Sequence, residues 1–341
     1  MRVAVYHKNN DVRLEERPRP VAGPGEVCIR VEASGICGSD VMEWYRLPRA
    51  PLVLGHEVAG QIVEVGDGVT RFQPGDRVMA THHVPCNACR YCLRDRHNVC
   101  ATLRTTEFDP GGFAEYVRLS PIHVDRGIFR LPDSVSYEEG TFFEPLACVV
   151  RAQRIARMSP GTTVAVLGSG ISGILHVQAA RASGAGRILA TDVSERRLEL
   201  ARRFGADVAI SASPEVPDRI RAANDGRLAE LVLVCTAAPP AIAQAFRSVD
   251  RGGTILFFAP ASPGVTFPVP LHDVWKDGIT ILHSYAGPPR DIEIGRDLIA
   301  SRRVDVASMI THRLSLARTG EGFRLVEEAQ ESLKVIVEPQ R

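Results

Sequence analysis

The sequence has no long hydrophobic run. Its longest apolar stretches, which include Thr163–Leu167 and 231–235, are about as long as a strand, whereas a helix needs about 20 apolar residues to span a bilayer. The first residues also lack a basic segment followed by an apolar run, which is the pattern of a secretion signal. We therefore expect a cytoplasmic protein that has no membrane partner.

Neither sign of charge is in excess. Lys and Arg number 41 and Asp and Glu number 40, so that the formal net charge is +1. A protein that binds nucleic-acid phosphates carries a clear positive excess, so this balance argues against a nucleic-acid partner. The length of 341 residues suggests about two domains. A composition of 45% hydrophobic and 24% charged residues is typical of a globular protein.

Four of the eight cysteines lie close together. Cys86, Cys89, Cys92 and Cys100 have the spacing C-x2-C-x2-C-x7-C, which in a cytoplasmic protein indicates a metal site rather than disulfides. Four thiolates can close a tetrahedral shell around zinc, and a shell without an open position indicates a structural ion. An iron–sulfur cluster is the alternative, although ferredoxin motifs of this type close with x3-C-Pro, whereas Ala101 follows the last cysteine here.

The pattern of predicted secondary structure changes along the chain. In the first 145 residues, short predicted strands at 27–31, 58–65 and 77–80 are separated by turns rich in proline and glycine, which favours a β-barrel or a β-sandwich. From the predicted helix 144–158 onward, strands alternate with helices. This alternation predicts a parallel α/β sheet. After about residue 285 the pattern becomes mixed again.

A glycine-rich loop lies at the start of the α/β region. Gly168-x-Gly170-x-x-Gly173 follows the predicted strand Thr163–Leu167 and precedes a helix. Glycines allow a tight turn and a close approach of the backbone, and the N-terminus of the helix favours a pyrophosphate. The loop therefore predicts a dinucleotide site, with an ordinary strand-to-helix turn as the alternative.

Asp192 bears on the choice of dinucleotide. It ends the next predicted strand, where a carboxylate can bind both ribose hydroxyls and would repel a 2′-phosphate. NAD is therefore favoured over NADP. Arg196 and Arg197 lie nearby and keep NADP as the minor alternative.

Cys37, His56, Glu57 and Glu144 are residues of metal-ligand type that lie apart in the sequence. One thiolate, one imidazole and one carboxylate, with water in the fourth position, form an open type of zinc site that suits catalysis. Each residue has an ordinary alternative interpretation, because a lone cysteine is usually a small buried hydrophobic residue. Spacing alone leaves this second metal site as a hypothesis.

Together these motifs resemble the zinc-dependent medium-chain alcohol and polyol dehydrogenases, in particular their sorbitol and threonine dehydrogenase branch. The resemblance covers essentially the whole chain, and the order and separation of the motifs make it highly specific. Besides the four-cysteine segment and the glycine loop, the matching segments are Gly35-Ile36-Cys37-Gly38-Ser39-Asp40, Gly55-His56-Glu57, Glu144-Pro145-Leu146, Ile310-Thr311-His312-Arg313 and Leu333-Lys334-Val335-Ile336.

The family implies a fold class that combines α/β with β. A GroES-like, zinc-binding catalytic domain would comprise residues 1–145 and 286–341, and a Rossmann NAD-binding domain, a doubly wound parallel sheet, would be inserted as residues 146–285. The resemblance also implies a homo-oligomer, a tetramer or a dimer.

Two zinc ions per chain and NAD are the cofactors that the resemblance implies. Cys37 and His56 would bind a catalytic zinc, with Glu57 or Glu144 completing or exchanging in its shell, and the four clustered cysteines would bind a structural zinc. Ser39 matches the family's hydroxyl residue beside the substrate oxygen. The residues assigned to the dinucleotide are Gly168, Gly170, Ser172, Gly173, Asp192, Arg197, Ala259 and Ser284.

Met42 is a departure from the family. Relatives usually place a histidine three positions after the Ser/Thr, where it passes the proton to solvent, and methionine cannot relay a proton. We predict that the proton leaves through water or through His83, which matches a histidine of the substrate pocket and, with Ser39 and Glu57, completes the predicted catalytic residues. Trp44, Tyr45 and Phe113 are further candidates for the pocket wall, with packing as the alternative for the pair Trp44-Tyr45.

The predicted reaction is the oxidation of a secondary alcohol to the ketone with reduction of NAD. The substrate would be a polyol, a cyclitol, a sugar alcohol or an amino alcohol. Two other functions stay open: a non-catalytic nucleotide-binding protein on the same scaffold, and a zinc-ribbon protein that binds nucleic acid.

Overall fold

Short strands separated by turns predominate in the first part of the chain, as its proline and glycine content predicts. The computed structural model describes residues 1–341. The strands, in chain order, are β1 (Arg2–Lys8), β2 (Asp11–Glu16), β3 (Val27–Gly35), β4 (Leu52–Val53), β5 (Glu57–Val65), β6 (Arg77–Thr81), β7 (Tyr116–Leu119), β8 (Ile128–Arg130), β9 (Thr163–Leu167), β10 (Arg187–Asp192), β11 (Val208–Ser211), β12 (Ala229–Val234), β13 (Val249–Phe257), β14 (Thr280–His283), β15 (Ile310–Ser315) and β16 (Lys334–Glu338). The α-helices are α1 (Glu43–Arg46), α2 (Ala101–Thr105), α3 (Pro121–Arg126), α4 (Tyr137–Gly140), α5 (Phe143–Ile155), α6 (Ile171–Ala182), α7 (Glu195–Arg203), α8 (Val216–Ala223), α9 (Pro239–Ser248), α10 (Leu271–Lys276), α11 (Pro289–Ala300) and α12 (Thr319–Glu328).

The chain divides into two units. Unit 1 comprises Met1–Ala147, Gly287–Ala300 and Val306–Arg341, and unit 2 comprises Cys148–Ala286 and Ser301–Asp305. The functional domain limits given above stay a prediction. None of the helices combines the length and the hydropathy that crossing a bilayer requires.

A seven-stranded sheet lies at the centre of unit 1. Its strands follow the order β15-β16-β3-β5-β6-β8, and β7 pairs with β3 beside this path. Along β3, Ile29, Val31 and Ala33 are buried, whereas Arg30 and Glu32 between them are partly exposed. This alternation, which is expected of a strand with one face on the core, brings Ile29 against buried residues such as Val58 of β5. A smaller sheet has the order β2-β1-β4.

A six-stranded parallel sheet lies at the centre of unit 2. Its order is β11-β10-β9-β12-β13-β14, which is the strand order of a dinucleotide-binding sheet. Every residue of β9 is buried, as is expected of a parallel strand that is covered on both faces. The predicted doubly wound parallel sheet is therefore confirmed.

One local prediction, the end of the helix 144–158, differs in detail from the structure. α5 ends at Ile155, earlier than predicted, and Arg157 then adopts a φ of +55°, a left-handed conformation that commonly terminates a helix. Ser194 lies at the N-cap of α7, but its side chain makes no capping hydrogen bond. Its backbone N–H instead donates to Asp192 Oδ1 at 2.9 Å.

His176 is an imidazole in the interior of unit 2. It lies on α6 and is completely buried. The side-chain amide of Gln153 donates to His176 Nδ1 at 3.3 Å and to the His176 carbonyl at 2.9 Å, and the ring of Phe258 packs edge-on at 4.7 Å between centroids. Because Nε2 has no partner and burial disfavours the charged form, the pKa of His176 is lowered to about 3.

This burial predicts a pH dependence of stability. Histidine has a pKa of about 6.5 in an unfolded chain, so below that pH His176 is protonated in the unfolded state and neutral in the folded state. Because unfolding then takes up a proton, the free energy of unfolding falls as the pH falls. Between about pH 7.5 and pH 5 this residue should cost roughly 2 kcal/mol. His176→Gln should remove that part of the loss in urea titrations at the two pH values. Exposed His272→Gln is the matched control, and an unchanged pH dependence in His176→Gln would contradict the account.

Candidate active site

Local hydrogen bonds hold the thiol of Cys37 in place. Cys37 caps a short 3-10 helix, Gly38–Val41, and its sulfur accepts from the backbone N–H of Ser39 at 3.4 Å. Asp40 reaches back and accepts from the backbone N–H of Cys37 at 3.0 Å. These reciprocal bonds form a capping box, which fixes the thiol relative to the carboxylate.

The same carboxylate orients His56. Asp40 is completely buried, and its Oδ1 lies 3.3 Å from His56 Nδ1. Burial alone would lower the pKa of His56, but Asp40 and Cys37 outweigh that effect and raise it well above the ordinary value. With Nδ1 facing a carboxylate, Nε2 is the nitrogen left for a metal, an arrangement that is typical of histidine ligands.

Glu57 is held by an ion pair. The ammonium of Lys334 on β16 donates to Glu57 Oε2, and both side chains are almost wholly inaccessible to solvent. Burial raises the pKa of Glu57, and Lys334 offsets part of that effect. Gly35 of β3 makes room for the pair, since a Cβ there would lie 2.0 Å from Glu57 Oε2 and 2.7 Å from Lys334 Nζ.

The structure brings three of the four predicted ligands of the catalytic zinc together and places Glu144 in a different group. The ligand atoms of Cys37, His56 and Glu57 all lie within 4.8 Å of one another. Glu144 is grouped in the same way with two histidines, His82 and His83. A thiolate, an imidazole and a carboxylate at this separation form a donor set that suits zinc.

Sequence reasoning missed His82. Its ring lies 4.7 Å from that of His56 and 3.7 Å from that of His83 between centroids. Its Nδ1 is buried without a hydrogen-bond partner, and burial and then His83 hold its pKa well below the ordinary value. The signal in the sequence was its position next to the predicted His83, which itself lies 3.8 Å from Glu144 Oε1.

Ser39 has a partner that sequence reasoning also missed. Its hydroxyl lies 3.4 Å from Cys37 Sγ. The guanidinium of Arg46, at the end of α1, donates to Ser39 Oγ at 3.0 Å and to the Ser39 carbonyl at 3.0 Å. Met42 makes no side-chain cap for α1; its carbonyl accepts the Arg46 backbone N–H.

The aromatic candidates for the pocket wall divide into two kinds. Trp44 and Tyr45 are 40% and 39% exposed. Phe113 is 1% exposed and packs edge-on against Phe323 at 5.8 Å. The prediction that Phe113 lines the pocket is therefore wrong, because the residue belongs to the hydrophobic core.

The four clustered cysteines form a separate group in unit 1. Their sulfurs lie 4.0 Å (Cys86 to Cys92), 3.6 Å (Cys89 to Cys92) and 3.6 Å (Cys100 to Cys86) apart. Ligands at about 2.3 Å from one ion in tetrahedral geometry would be about 3.8 Å apart, so the group fits a single ion. It is too tight for a multi-iron cluster, and the separations far exceed a disulfide bond.

The glycine loop of unit 2 joins β9 to α6. Gly168 has a φ of +96°, and a Cβ at Gly173 would lie 1.9 Å from the Gly168 carbonyl, so both positions require glycine. Gly170 is the N-cap of α6 and offers no side-chain cap. The first N–H groups of this twelve-residue helix thus suit an anion such as a pyrophosphate.

Asp192 lies at the end of β10, beside this loop. Its Oδ2 accepts from the backbone N–H of Ser169 at 2.8 Å, and Arg197 Nη1 lies 3.9 Å from the same oxygen. Arg197 is also 3.7 Å from the position that a Cβ of Gly170 would take. The loop therefore carries a carboxylate and a guanidinium side by side.

The remaining predicted cofactor residues occupy the same edge of the sheet. Ala259 follows β13 and Ser284 follows β14, and Ser172 is in the first turn of α6. The hydroxyl of Ser284 is buried without a partner. Since ligands of such sheets bind at the carboxyl ends of the strands, these positions suit a dinucleotide.

Comparison with known proteins gives the same picture for both parts of the chain. Residues 23–133 match the family model described as alcohol dehydrogenase GroES-like domain, and residues 172–301 match the model described as zinc-binding dehydrogenase. The predicted GroES-like domain is thereby confirmed.

Proteins that are similar over nearly the whole chain are also dehydrogenases. Sorbitol dehydrogenase from Gallus gallus is 33% identical over 98% of this chain and 95% of its own length. Sorbitol dehydrogenase from Bacillus subtilis (strain 168) is 33% identical over 100% and 98%. A solved structure from Sinorhizobium meliloti 1021, described as a zinc-binding dehydrogenase bound to NADP, has a TM-score of 0.88 and 27% identity, with 99% of each chain covered.

The buried ion pair predicts a non-additive effect on stability. Lys334→Met should leave the Glu57 carboxylate buried without its cation and lower the free energy of unfolding by about 3–5 kcal/mol. Lys334→Met combined with Glu57→Gln should recover much of that loss, because no uncompensated charge remains. Denaturant titrations of the single and double variants test this. Additive losses would show that the two side chains do not act as a pair.

Proposed function

The chain belongs to the zinc-dependent medium-chain alcohol and polyol dehydrogenases, and from this we propose that it oxidises a secondary alcohol to a ketone while a nicotinamide dinucleotide accepts the hydride. The observation that carries the proposal is the convergence of the ligand atoms of Cys37, His56 and Glu57 within 4.8 Å. Beside them lies the hydroxyl of Ser39, 3.4 Å from Cys37 Sγ.

Cys37, His56 and either Glu57 or Glu144 are the residues that would hold a catalytic zinc. The donor set fits, since Asp40 orients the imidazole and a fourth position stays open for water or substrate. When bound, zinc supplies Lewis-acid polarisation of an alcohol oxygen, and the nicotinamide supplies the hydride acceptor. Lys334 occupies one oxygen of Glu57, so Glu57 has its other oxygen to offer.

The chain's own residues handle the proton. Ser39 Oγ has a lone pair with which to receive the proton of the substrate hydroxyl, and it releases its own proton as it does so. Asp40 keeps His56 in one orientation throughout. His83, 3.8 Å from Glu144, is a side chain near the candidate metal ligands that could accept the proton in place of the missing histidine at Met42, and water is the other acceptor.

NAD is the dinucleotide that we propose. The Asp192 carboxylate lies beside the glycine loop, bonded to Ser169 N–H, where it can accept from a ribose hydroxyl and repel a 2′-phosphate. Arg197, 3.9 Å away, is the residue that would favour NADP. Because its charge is already faced by Asp192, we expect NAD to be preferred.

Cys86, Cys89, Cys92 and Cys100 would hold a second, structural zinc. The closed set of four sulfurs leaves no position for a substrate, so this ion would stabilise the segment without taking part in the reaction. The total would be two zinc ions per chain.

The substrate that we propose is a small polyol or a related secondary alcohol. A cytoplasmic location and a homo-oligomer, a tetramer or a dimer, belong to the same proposal. The two alternatives are not favoured: a non-catalytic relative needs none of the convergent ligands of unit 1, and a zinc-ribbon nucleic-acid protein needs a positive excess that a net charge of +1 does not supply.

Cys37→Ala tests the catalytic metal. Removing the thiolate should lower alcohol oxidation roughly 1,000-fold, because the Lewis acid is lost, and should reduce the zinc content from about two to about one per chain, since the four-cysteine group is untouched. Turnover and elemental analysis on the same sample are the measurements.

Cys28→Ala is the matched control, since Cys28 is a buried thiol of β3 outside both groups of ligands, and it should keep both zinc ions and its activity. Near-normal activity of Cys37→Ala would overturn the assignment. A wild-type chain that binds one zinc and oxidises no alcohol would instead identify the non-catalytic relative.

A further inference from the structure

Arg46 is a buried cation that the proposed reaction does not yet use. Its side chain is 10% exposed, and the guanidinium packs over the ring of Tyr45 at 4.6 Å. It donates to three acceptors: the Ser39 carbonyl at 3.0 Å, Ser39 Oγ at 3.0 Å and Asp40 Oδ1 at 3.3 Å. Two of these acceptors belong to the one hydroxyl residue beside Cys37.

These contacts determine what the Ser39 hydroxyl can do. A hydroxyl has one proton to donate and two lone pairs that accept. The N–H of Arg46 fills one lone pair of Ser39 Oγ, and the Ser39 O–H donates to Cys37 Sγ at 3.4 Å, so one lone pair is left. The second bond, to the Ser39 carbonyl, fixes the planar guanidinium, so it reaches Oγ from a single direction.

Arg46 cannot pass a proton on. A guanidinium has donors and no acceptor, and it keeps its charge in proteins. The thioether of Met42, at the position where relatives carry a histidine, accepts a hydrogen bond only weakly. Neither Arg46 nor Met42 therefore offers a route for the proton.

We propose that Arg46 is a positioning residue that holds the Ser39 hydroxyl in one orientation, with one lone pair open to the substrate proton. This rests on the proposed dehydrogenase function. One lone pair of Oγ accepts from Arg46 and the other receives the proton of the substrate hydroxyl. As that O–H bond breaks, Ser39 releases the proton it carried to water or to His83, and a bound nicotinamide would supply the acceptor for the hydride. Serine is regenerated neutral, and one proton reaches solvent for each ketone formed.

A double-mutant cycle tests the proposal on the zinc-loaded enzyme. Arg46→Ala should lower kcat roughly 10–100-fold, a loss on the scale of misplaced acid–base catalysis. In a Ser39→Ala background the same change should have little further effect, because Arg46 acts through a hydroxyl that is no longer there. Arg46→Lys, which keeps the charge but loses the planar fork, should fall between Arg46→Ala and the wild type.

Chemical rescue distinguishes a positioning role of Arg46 from a purely structural one, because added guanidinium can replace a lost hydrogen-bond donor but cannot repair a disrupted fold. Guanidinium chloride at a non-denaturing concentration should restore part of the kcat of Arg46→Ala, and sodium chloride at equal ionic strength should not. The Arg46→Ala, Ser39→Ala double variant should show no rescue. Arg49→Ala, which removes an exposed arginine that pairs with Glu107, is the matched control and should behave as wild type.

The outcomes distinguish a failure of the proposed function from a failure of the role given to Arg46. If the wild type oxidises no alcohol, the proposed function fails. If the wild type is active but the effects of Arg46→Ala and Ser39→Ala multiply, or guanidinium does not rescue a variant that retains both zinc ions, only the role of Arg46 is overturned. If Arg46→Ala does not fold, Arg46→Lys replaces it in the cycle. Loss of zinc from both variants would show that Arg46 supports the metal ligands instead, and would equally overturn the proposal.

Discussion

The buried carboxylate of Asp40 is the interaction on which the candidate site depends. It has no exposed surface, so its charge is tolerable only with partners that donate to it. It has three: the backbone N–H of Cys37, the imidazole of His56 and the guanidinium of Arg46. Each partner bears on a different candidate role: Cys37 and His56 are candidate metal ligands, and Arg46 holds the Ser39 hydroxyl. One buried charge therefore connects the candidate metal ligands with the hydroxyl proposed for proton transfer.

A second buried charge explains why unit 1 needs residues from both ends of the chain. Glu57 follows directly after His56, and its counter-ion, Lys334, lies on the last strand of the chain. The pair also needs Gly35, where a side chain would occupy its space. Residues Val306–Arg341 therefore complete the environment of a candidate metal ligand in addition to extending a sheet. Asp40 and Glu57 differ in one respect: the first orients ligands, and the second is itself a candidate ligand.

The sequence is most informative where function is local. A metal group was predicted from the spacing of Cys86 to Cys100, and a nucleotide loop from the glycines 168, 170 and 173. Residues only a few positions apart lie close together in any fold, so these predictions did not depend on the rest of the chain. Cys37 and Glu144 needed the family resemblance, since only the fold brings each of them near other side chains that can bind a metal. Neither the spacing of motifs nor the family resemblance predicted the role of Arg46. The resemblance points to position 42 instead, and Arg46 reaches Ser39 only because α1 folds back on the 3-10 helix. Phe113 was misassigned because an aromatic residue of a core and one of a pocket have the same signature in a sequence.

The most direct test of the central claim is the formation of reduced nicotinamide by the purified, zinc-loaded protein with a panel of polyols, cyclitols and amino alcohols, using NAD and NADP in parallel. We expect reduction of the dinucleotide with at least one secondary alcohol, a faster rate with NAD than with NADP, loss of the reaction on chelation and its return when zinc is restored. Reduction of neither dinucleotide by any alcohol of the panel, in protein that holds both zinc ions, would contradict this expectation.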